Sequence, residues 1–373
     1  MSLQRHSLAV YAFGAAFKIA AWLSTLPNRL TPAPFRLMQI GSAFWQSRAL
    51  YVAARLDIAG ILGDDRLSVA EIAGRTGADP DALHRLLRML ASVGVFREMS
   101  AGLYRNNKLS SCLRTGHLQC VRPMILMHNS DATSRPWYEQ LEQGIRTGEV
   151  PFRLTHGQEL YAWMDAHPDF DALFGQAMDS VEALIGDSFT TEFDWRPFTR
   201  MIDVGGSRGA KSVAILRRHP HLEALVVDRA QAIRGAAEYW AAREPTRLTA
   251  RLRFEVGDAL RSVPAAASDK DVYLLSALLH GYGDDACINI LRNVSQAAAP
   301  KGAWVVVMEM VLADCRADLA ASSLDMQMFV NSEGRERTLA EWNSLFERSG
   351  LRLREIVRLA SLGQMLVLQA VPR

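Results

Sequence analysis

The chain has 373 residues, 49% of them hydrophobic and 22% charged, with a formal net charge of +2. That length is enough for two domains and a sizeable core, and the composition is that of an ordinary globular protein. A charge so close to zero gives no electrostatic ground for a nucleic-acid partner or an acidic substrate.

Leu8 to Leu23 is strongly apolar, preceded by Arg5 and His6 and interrupted by Lys18. The run is too short for a comfortable membrane span. It lacks a clear small-residue cleavage site before Ser24-Thr25-Leu26-Pro27, which counts against a secretory signal. A helix packed on a partner subunit accounts for the pattern better. The alternative is weak membrane-surface contact of residues 8–23, with Lys18, Arg29 and Arg36 toward lipid phosphates. Residues 1–35 read as an N-terminal helical arm, closed by Leu30-Thr31-Pro32-Ala33-Pro34.

Residues 36–62 carry apolar positions at helical spacing, with Gly60 and Gly63 near the end. Ser68 and Glu71 form a capping box for a helix through Ala73. A second helix starts near Asp79-Pro80, runs through Leu83, Leu86, Leu87 and Leu90, and stops at Gly94. Val95–Glu98 and Gly102–Arg105 then read as a hairpin. Helix, turn, helix, hairpin makes residues 36–118 a winged-helix-like domain. His84, Arg85 and Arg88 raise DNA binding as a reading. Asp81, the leucine stripe and a wing with no basic cluster beyond Arg97 and Arg105 favour a solvated helix face instead.

Residues 119–190 read as all-helical and concentrate Trp137, Tyr138, Phe152, Tyr161, Trp163, Phe170 and Phe174. Aromatics at such density pack a core or wall a substrate pocket. Neither metal nor disulfide chemistry is indicated. Cys112, Cys120, Cys287 and Cys315 form no C-x-x-C pair, and the simple inference is a reducing cytoplasm.

From residue 198 strands and helices alternate. Met201–Val204 is a short apolar run closed by glycines, followed by a helical pattern to Pro220 and a second apolar run, Ala224–Val227, ending at Asp228. Strand, glycine turn, helix, strand, acid is the unit that holds an adenosine. Further strands are Leu252–Val256, Asp271–Leu275 and Trp304–Met308, with Leu353–Val357 and Met365–Ala370 as a closing hairpin. Asp228, Asp258, His280 and Glu309 all stand at carboxyl ends of strands, where such sheets collect their chemistry.

These residues resemble the two-domain S-adenosylmethionine-dependent O-methyltransferases, the group acting on caffeate, isoflavones, acetylserotonin and bacterial antibiotics. The matching segments are Asp203-Val-Gly-Gly-Ser-Arg-Gly209, Val227-Asp228, Gly257-Asp258, Leu279-His280, Asp284-Asp285 and Gly334-Arg-Glu-Arg-Thr338, the last followed by Glu341-Trp342. The resemblance implies a Rossmann-like α/β domain at 191–373 with a mostly parallel seven-stranded sheet. It implies a mainly helical dimerisation domain before it, a substrate-pocket segment at 119–190, and a homodimer formed through the N-terminal domain. Asp203, Gly205, Gly206, Ser207, Gly209, Asp228, Asp258, Ala259 and Ser276 would hold S-adenosylmethionine, Asp228 at the ribose and Asp258 at the adenine. His280 would be the general base, oriented by Glu309 and Glu336. Trp137, Phe174, Met178, Met328 and Asn331 would line the pocket for a small, hydroxylated, aromatic acceptor.

The chemistry also supports His280 directly. The cofactor's methyl group is already activated as a sulfonium, so the enzyme must supply alignment and a better nucleophile. A phenol with a pKa of about 10 is mostly protonated at neutral pH, and a histidine near 6.5 can take its proton as attack develops, worth about 10²–10⁴-fold. The sequence departs from the family pattern at three places. His280-Gly281-Tyr282 replaces the usual His-Asp-Trp or His-Asn-Trp, Ala259 stands where an aromatic residue is common, and Ser207 replaces the middle glycine. Nitrogen, sulfur or carbon acceptors, or a non-methylating use of the same cofactor, are the competing readings of the site.

Overall fold

The computed structural model describes residues 3–5, 8, 10–12, 14–16, 19, 30–361 and 363–371, and it divides into two compact units, residues 19–185 and residues 1–18 with 186–373. Half of the apolar run 8–23, with Lys18, lies outside the described residues, as does Arg29. Among the described residues no helix is long and apolar enough to cross a membrane.

In the first unit the stretch 36–62 is not one helix but three, Ala33–Gly41, Ala43–Arg55 and Ile58–Leu62. The last break falls at Asp57, whose φ of 51° is left-handed, a conformation that a short polar side chain tolerates better than most. The capping box is present: Ser68 N–H donates to Glu71 Oε2 at 2.7 Å, and Glu71 N–H to Ser68 Oγ at 3.3 Å, starting the helix Val69–Thr76. Asp79 caps Pro80–Ser92 through the Ala82 N–H at 2.9 Å, with Pro80 in the first turn where its missing donor costs nothing. The hairpin is strands β2 (Phe96–Ser100) and β3 (Leu103–Asn106). A third strand, β1 (Arg66–Ser68), pairs antiparallel with β3 and completes a three-stranded wing that three residues of sequence do not announce. Leu83, Leu87 and Leu90 close the core against Ile58, Leu62, Ile72, Phe96 and Tyr104.

Residues 119–190 are helical as expected, with one irregularity: Pro136–Gln140 is a π-helical turn that carries Trp137 and Tyr138. The core of this segment gathers Met127, Val150, Phe152, Phe170 and Ala177.

The second unit is built on a seven-stranded sheet. Its strands in chain order are β4 (Arg200–Val204), β5 (Glu223–Asp228), β6 (Leu252–Val256), β7 (Asp271–Ser276), β8 (Trp304–Glu309), β11 (Leu351–Arg358) and β12 (Gln364–Ala370). Two short strands, β9 (Val311–Leu312) and β10 (Arg337–Thr338), pair in parallel outside it. The order is β11-β12-β8-β7-β4-β5-β6, with only β12 reversed. From β4 the chain winds outward through β5 and β6, then returns to add β7 and β8 on the other side. The topological switch point therefore lies between β4 and β7, where open α/β sheets bind ligands. Every residue of β7 is buried. Its side chains alternate between two apolar layers, Val272 and Leu274 on one face and Tyr273 and Leu275 on the other, as a sheet covered on both sides requires. The chain start joins this unit: Leu3 is in its core, and the Leu3 and Gln4 N–H groups donate to Glu355 at 2.8 and 3.2 Å.

Asn106 ties the wing to the helix Ile58–Leu62, its Nδ2 donating to the Ala59 and Gly63 carbonyls at 2.8 Å each. Asn106→Ala is expected to cost about 1–3 kcal/mol by leaving these carbonyls unpaired. Urea denaturation would register this as a lower midpoint, and an unchanged midpoint would show that the carbonyls find other partners.

Candidate active site

The loop after β4 is shaped by close backbone contacts. Asp203, buried in β4, accepts from Ser212 Oγ at 2.6 Å. Gly206 passes so close that a Cβ there would lie 2.5 Å from the Asp203 carboxyl carbon. Gly205, at φ 73°, leaves 2.6 Å between a hypothetical Cβ and the Leu278 side chain. Ser207 adopts φ 50°, the left-handed conformation a glycine would take without strain. Its N–H donates to Asp228 Oδ2 at 2.8 Å, which fastens the loop to the end of β5. Asp228 Oδ1 accepts from the Arg229 N–H at 2.7 Å. Asp258, half-exposed after β6, accepts from the Leu260 N–H at 3.0 Å. Ala259 turns toward the apolar layer, and its carbonyl accepts from Asn293 at 2.9 Å.

Ser276 ends β7 at the switch point. Its Oγ is buried and has no protein partner. An orphaned hydroxyl here, with carboxylates at the ends of β4, β5 and β6, suits a ligand bearing hydroxyls, an amine and an ammonium. These residues fit S-adenosylmethionine.

His280 sits in a single turn of 3-10 helix, Leu279–Gly281, just beyond β7. Its Nδ1 lies 2.8 Å from Glu336 Oε1 and 3.8 Å from Glu309 Oε2. Both carboxylates are buried, and the imidazole is 21% exposed. Glu309, at the end of β8, also accepts from the Leu278 and Leu279 N–H groups at 3.0 and 2.9 Å. Burial alone would lower the His280 pKa, but Glu309 and Glu336 overcome it and lift it to about 9. Burial raises the Glu309 carboxyl, and the facing His280 opposes that rise. The folded imidazole binds its proton above the ordinary value of 6.5. The stability this confers is therefore full below about pH 6.5 and is lost as pH rises through about 9.

The segment 334–342 has a place for each of its marked residues. Gly334 lies on the turn, where any Cβ would collide with the His280 carbonyl oxygen. Glu336 reaches the imidazole, and its own N–H is held by Asp325 at 2.9 Å. Arg337, fully buried, binds Asp284 and the carbonyls around the turn. Thr338 and Glu341 form the capping box of the next helix, and Trp342 is buried beneath it.

The helix Leu319–Asn331, which supplies Asp325, also carries Met328, half-buried, and Asn331, buried with Nδ2 donating to the Gln327 carbonyl at 2.9 Å and Oδ1 unpartnered. Trp137, Phe174 and Met178 belong to the first unit. Trp137 is half-buried in the π-turn, and Phe174 and Met178 pack against the Phe152 core. The second unit thus brings together the glycine loop, Asp228, Asp258, Ser276, His280, Glu309 and Glu336. Sequence reasoning left Ser212, Asp325 and Arg337 without a role. A charge pair of Arg337 with Asp284 was the available signal, but 53 residues separate the two.

A family model described as the O-methyltransferase domain matches residues 138–352, and one for the O-methyltransferase dimerisation domain matches residues 38–116. Phenazine O-methyltransferase PhzM from Lysobacter antibioticus is 33% identical over 336 residues, covering 90% of this chain and 96% of that protein. The crystal structure of LaPhzM has a TM-score of 0.84 at 31% identity, covering 91% of this chain and all of that one. NcsB1 from neocarzinostatin biosynthesis, solved with S-adenosylmethionine and 2-hydroxy-5-methyl naphthoic acid, has a TM-score of 0.74 at 29% identity over 87% of this chain and 96% of its own. The chain therefore belongs to the S-adenosylmethionine-dependent O-methyltransferase family and carries that family's dimerisation domain ahead of its catalytic one.

Proposed function

We propose that this enzyme methylates a hydroxyl of a small aromatic secondary metabolite, with His280 as the general base. The observation that carries the proposal is the His280–Glu336 contact of 2.8 Å at the carboxyl end of β7. With Nδ1–H donated to the carboxylate, the neutral ring keeps its lone pair on Nε2, free to accept a proton. Glu336 and Glu309 then stabilise the imidazolium that forms. A base with a pKa of about 9 is closely matched to a phenol near 10, so proton transfer between them is almost balanced. The cost is that only roughly one site in a hundred is in the neutral form at pH 7.

Asp203, Gly205, Gly206, Ser207, Gly209, Asp228, Asp258, Ala259 and Ser276 would hold the cofactor, whose sulfonium supplies an already activated methyl group. Met328 and Asn331 would line the acceptor pocket. An aromatic acceptor accords with the phenazine and naphthoic acid named for the relatives. Four unpaired cysteines accord with a cytoplasmic setting.

A homodimer through the N-terminal unit is part of the same proposal. Leu37 and Met38 are each 70% exposed and Trp45 59%, beside exposed Phe35, Ile40 and Phe44, on the helices Ala33–Gly41 and Ala43–Arg55. An apolar face of this extent marks an interaction surface.

Incubation with S-adenosylmethionine and a panel of phenols, reading S-adenosylhomocysteine release, tests the reaction. His280→Ala is expected to lower kcat by about 10²–10⁴-fold with cofactor binding intact, whereas undiminished turnover would refute the base. The wild type should elute at twice the chain mass in light-scattering chromatography. Phe44→Glu with Trp45→Glu should give the monomer, and a wild-type monomer would refute the dimer.

A further inference from the structure

The function proposed above leaves one buried cation unused. Arg337 has no exposed surface, and all five of its N–H donors are engaged. Nε and Nη2 donate to Asp284 Oδ1 at 3.0 and 2.8 Å, Nη1 to the Leu279 and Arg335 carbonyls at 3.3 Å each, and Nη2 also to the Tyr282 carbonyl at 2.9 Å. Its guanidinium carbon stands 5.2 Å from the centre of the Trp342 ring.

Two of these acceptors matter for the chemistry. Leu279 and Tyr282 bracket His280 and Gly281, so their carbonyls mark the two ends of the turn that carries the imidazole. Cys287 Sγ supports the same Leu279 carbonyl at 3.1 Å. On the opposite side, Glu309 holds the Leu278 and Leu279 N–H groups. The donors of the turn are thus fixed from β8 and its acceptors from β10. The turn has two hydrogen bonds of its own, Gly281 N–H to the Leu278 carbonyl at 3.2 Å and Tyr282 N–H to the Leu279 carbonyl at 3.1 Å. With Gly281 and Gly283 beside the base, the contacts from outside add to these in setting its geometry.

We propose that Arg337 is a positioning residue for the methyl transfer: with Asp284 it clamps the Leu279–Tyr282 turn and so fixes where His280 Nε2 points. This rests on the reading of His280 as the base. Arg337 makes no hydrogen bond to the imidazole, and its charge opposes the protonation that Glu309 and Glu336 favour. Its hydrogen bonds act on the backbone, while its neighbour Glu336 bonds the ring. A lysine cannot replace it, because three donors on one nitrogen cannot span a carboxylate and three separated carbonyls as the planar fork does. A small error in the base's position is costly, since a displacement of about 1 Å can cost 10²-fold in rate.

The test uses full-length Arg337→Lys, Asp284→Asn, His280→Ala and the double variant His280→Ala/Arg337→Lys. Turnover is counted per site competent to bind S-adenosylmethionine. Arg337→Lys is expected to lower kcat by about 10–100-fold, with the acceptor KM and the cofactor Kd each within about threefold of wild type. Asp284 is half-exposed at a helix start, so Asp284→Asn should fold and show a smaller fall of the same kind. The double variant should be no slower than His280→Ala alone, because a residue that works through the base has nothing left to position. The proposal is overturned if Arg337→Lys keeps the wild-type kcat per competent site, or if it slows the His280→Ala background as much as it slows wild type. Undiminished turnover in His280→Ala would instead sink the base reading itself.

Discussion

Two carboxylates buried against one imidazole govern this catalytic unit. Burying charge is expensive unless each charged atom is met by a fixed partner. Here Glu309 takes the Leu278 and Leu279 N–H groups as well as facing His280, while Glu336 meets the imidazole through Oε1, is seated by Asp325 through its backbone, and keeps Oε2 buried without a protein partner. The elements around the site are arranged to make this possible. β7 delivers the turn, β8 delivers Glu309 to it, and the segment between the helix Leu319–Asn331 and β10 brings Glu336 to the imidazole. Gly334 is glycine because the chain must pass directly over the His280 carbonyl to get there.

A second consequence is chemical. The same two carboxylates that hold the ring raise its affinity for a proton, which would make the proposed base strong and scarce together. That combination suits a weakly acidic hydroxyl. An acceptor already ionised at neutral pH would gain little from it.

Much of the frame was legible in the sequence because its signals are local. The glycine turn after Val204, the capping box at Ser68 and the apolar run Val272–Leu275 of β7 each declare themselves within a few residues. The seven strands fall where alternation with helices placed them. What stayed hidden depends on distant partners or on very short elements. Arg66–Ser68 is a strand only because β3 lies beside it, and the pair β9–β10 joins segments that are 26 residues apart in register. The break at Asp57 and the π-turn at Pro136 interrupt helical patterns that read as continuous. Of the site, His280 and its two glutamates follow from strand ends and motif resemblance. Arg337 stood inside a recognised motif, but its bonds run to backbone carbonyls and to Asp284, 53 residues away, which no local pattern reports.

The most direct measurement is a pH titration of the His280 imidazole by nitrogen-15 NMR in the ligand-free enzyme, assigned with His280→Ala. The proposed arrangement predicts a protonation midpoint raised above the ordinary 6.5, to about 9, with the proton on Nδ1 in the neutral form. A midpoint at or below the ordinary 6.5, or a neutral ring protonated on Nε2, would mean that the buried carboxylates do not act on this histidine as the geometry requires.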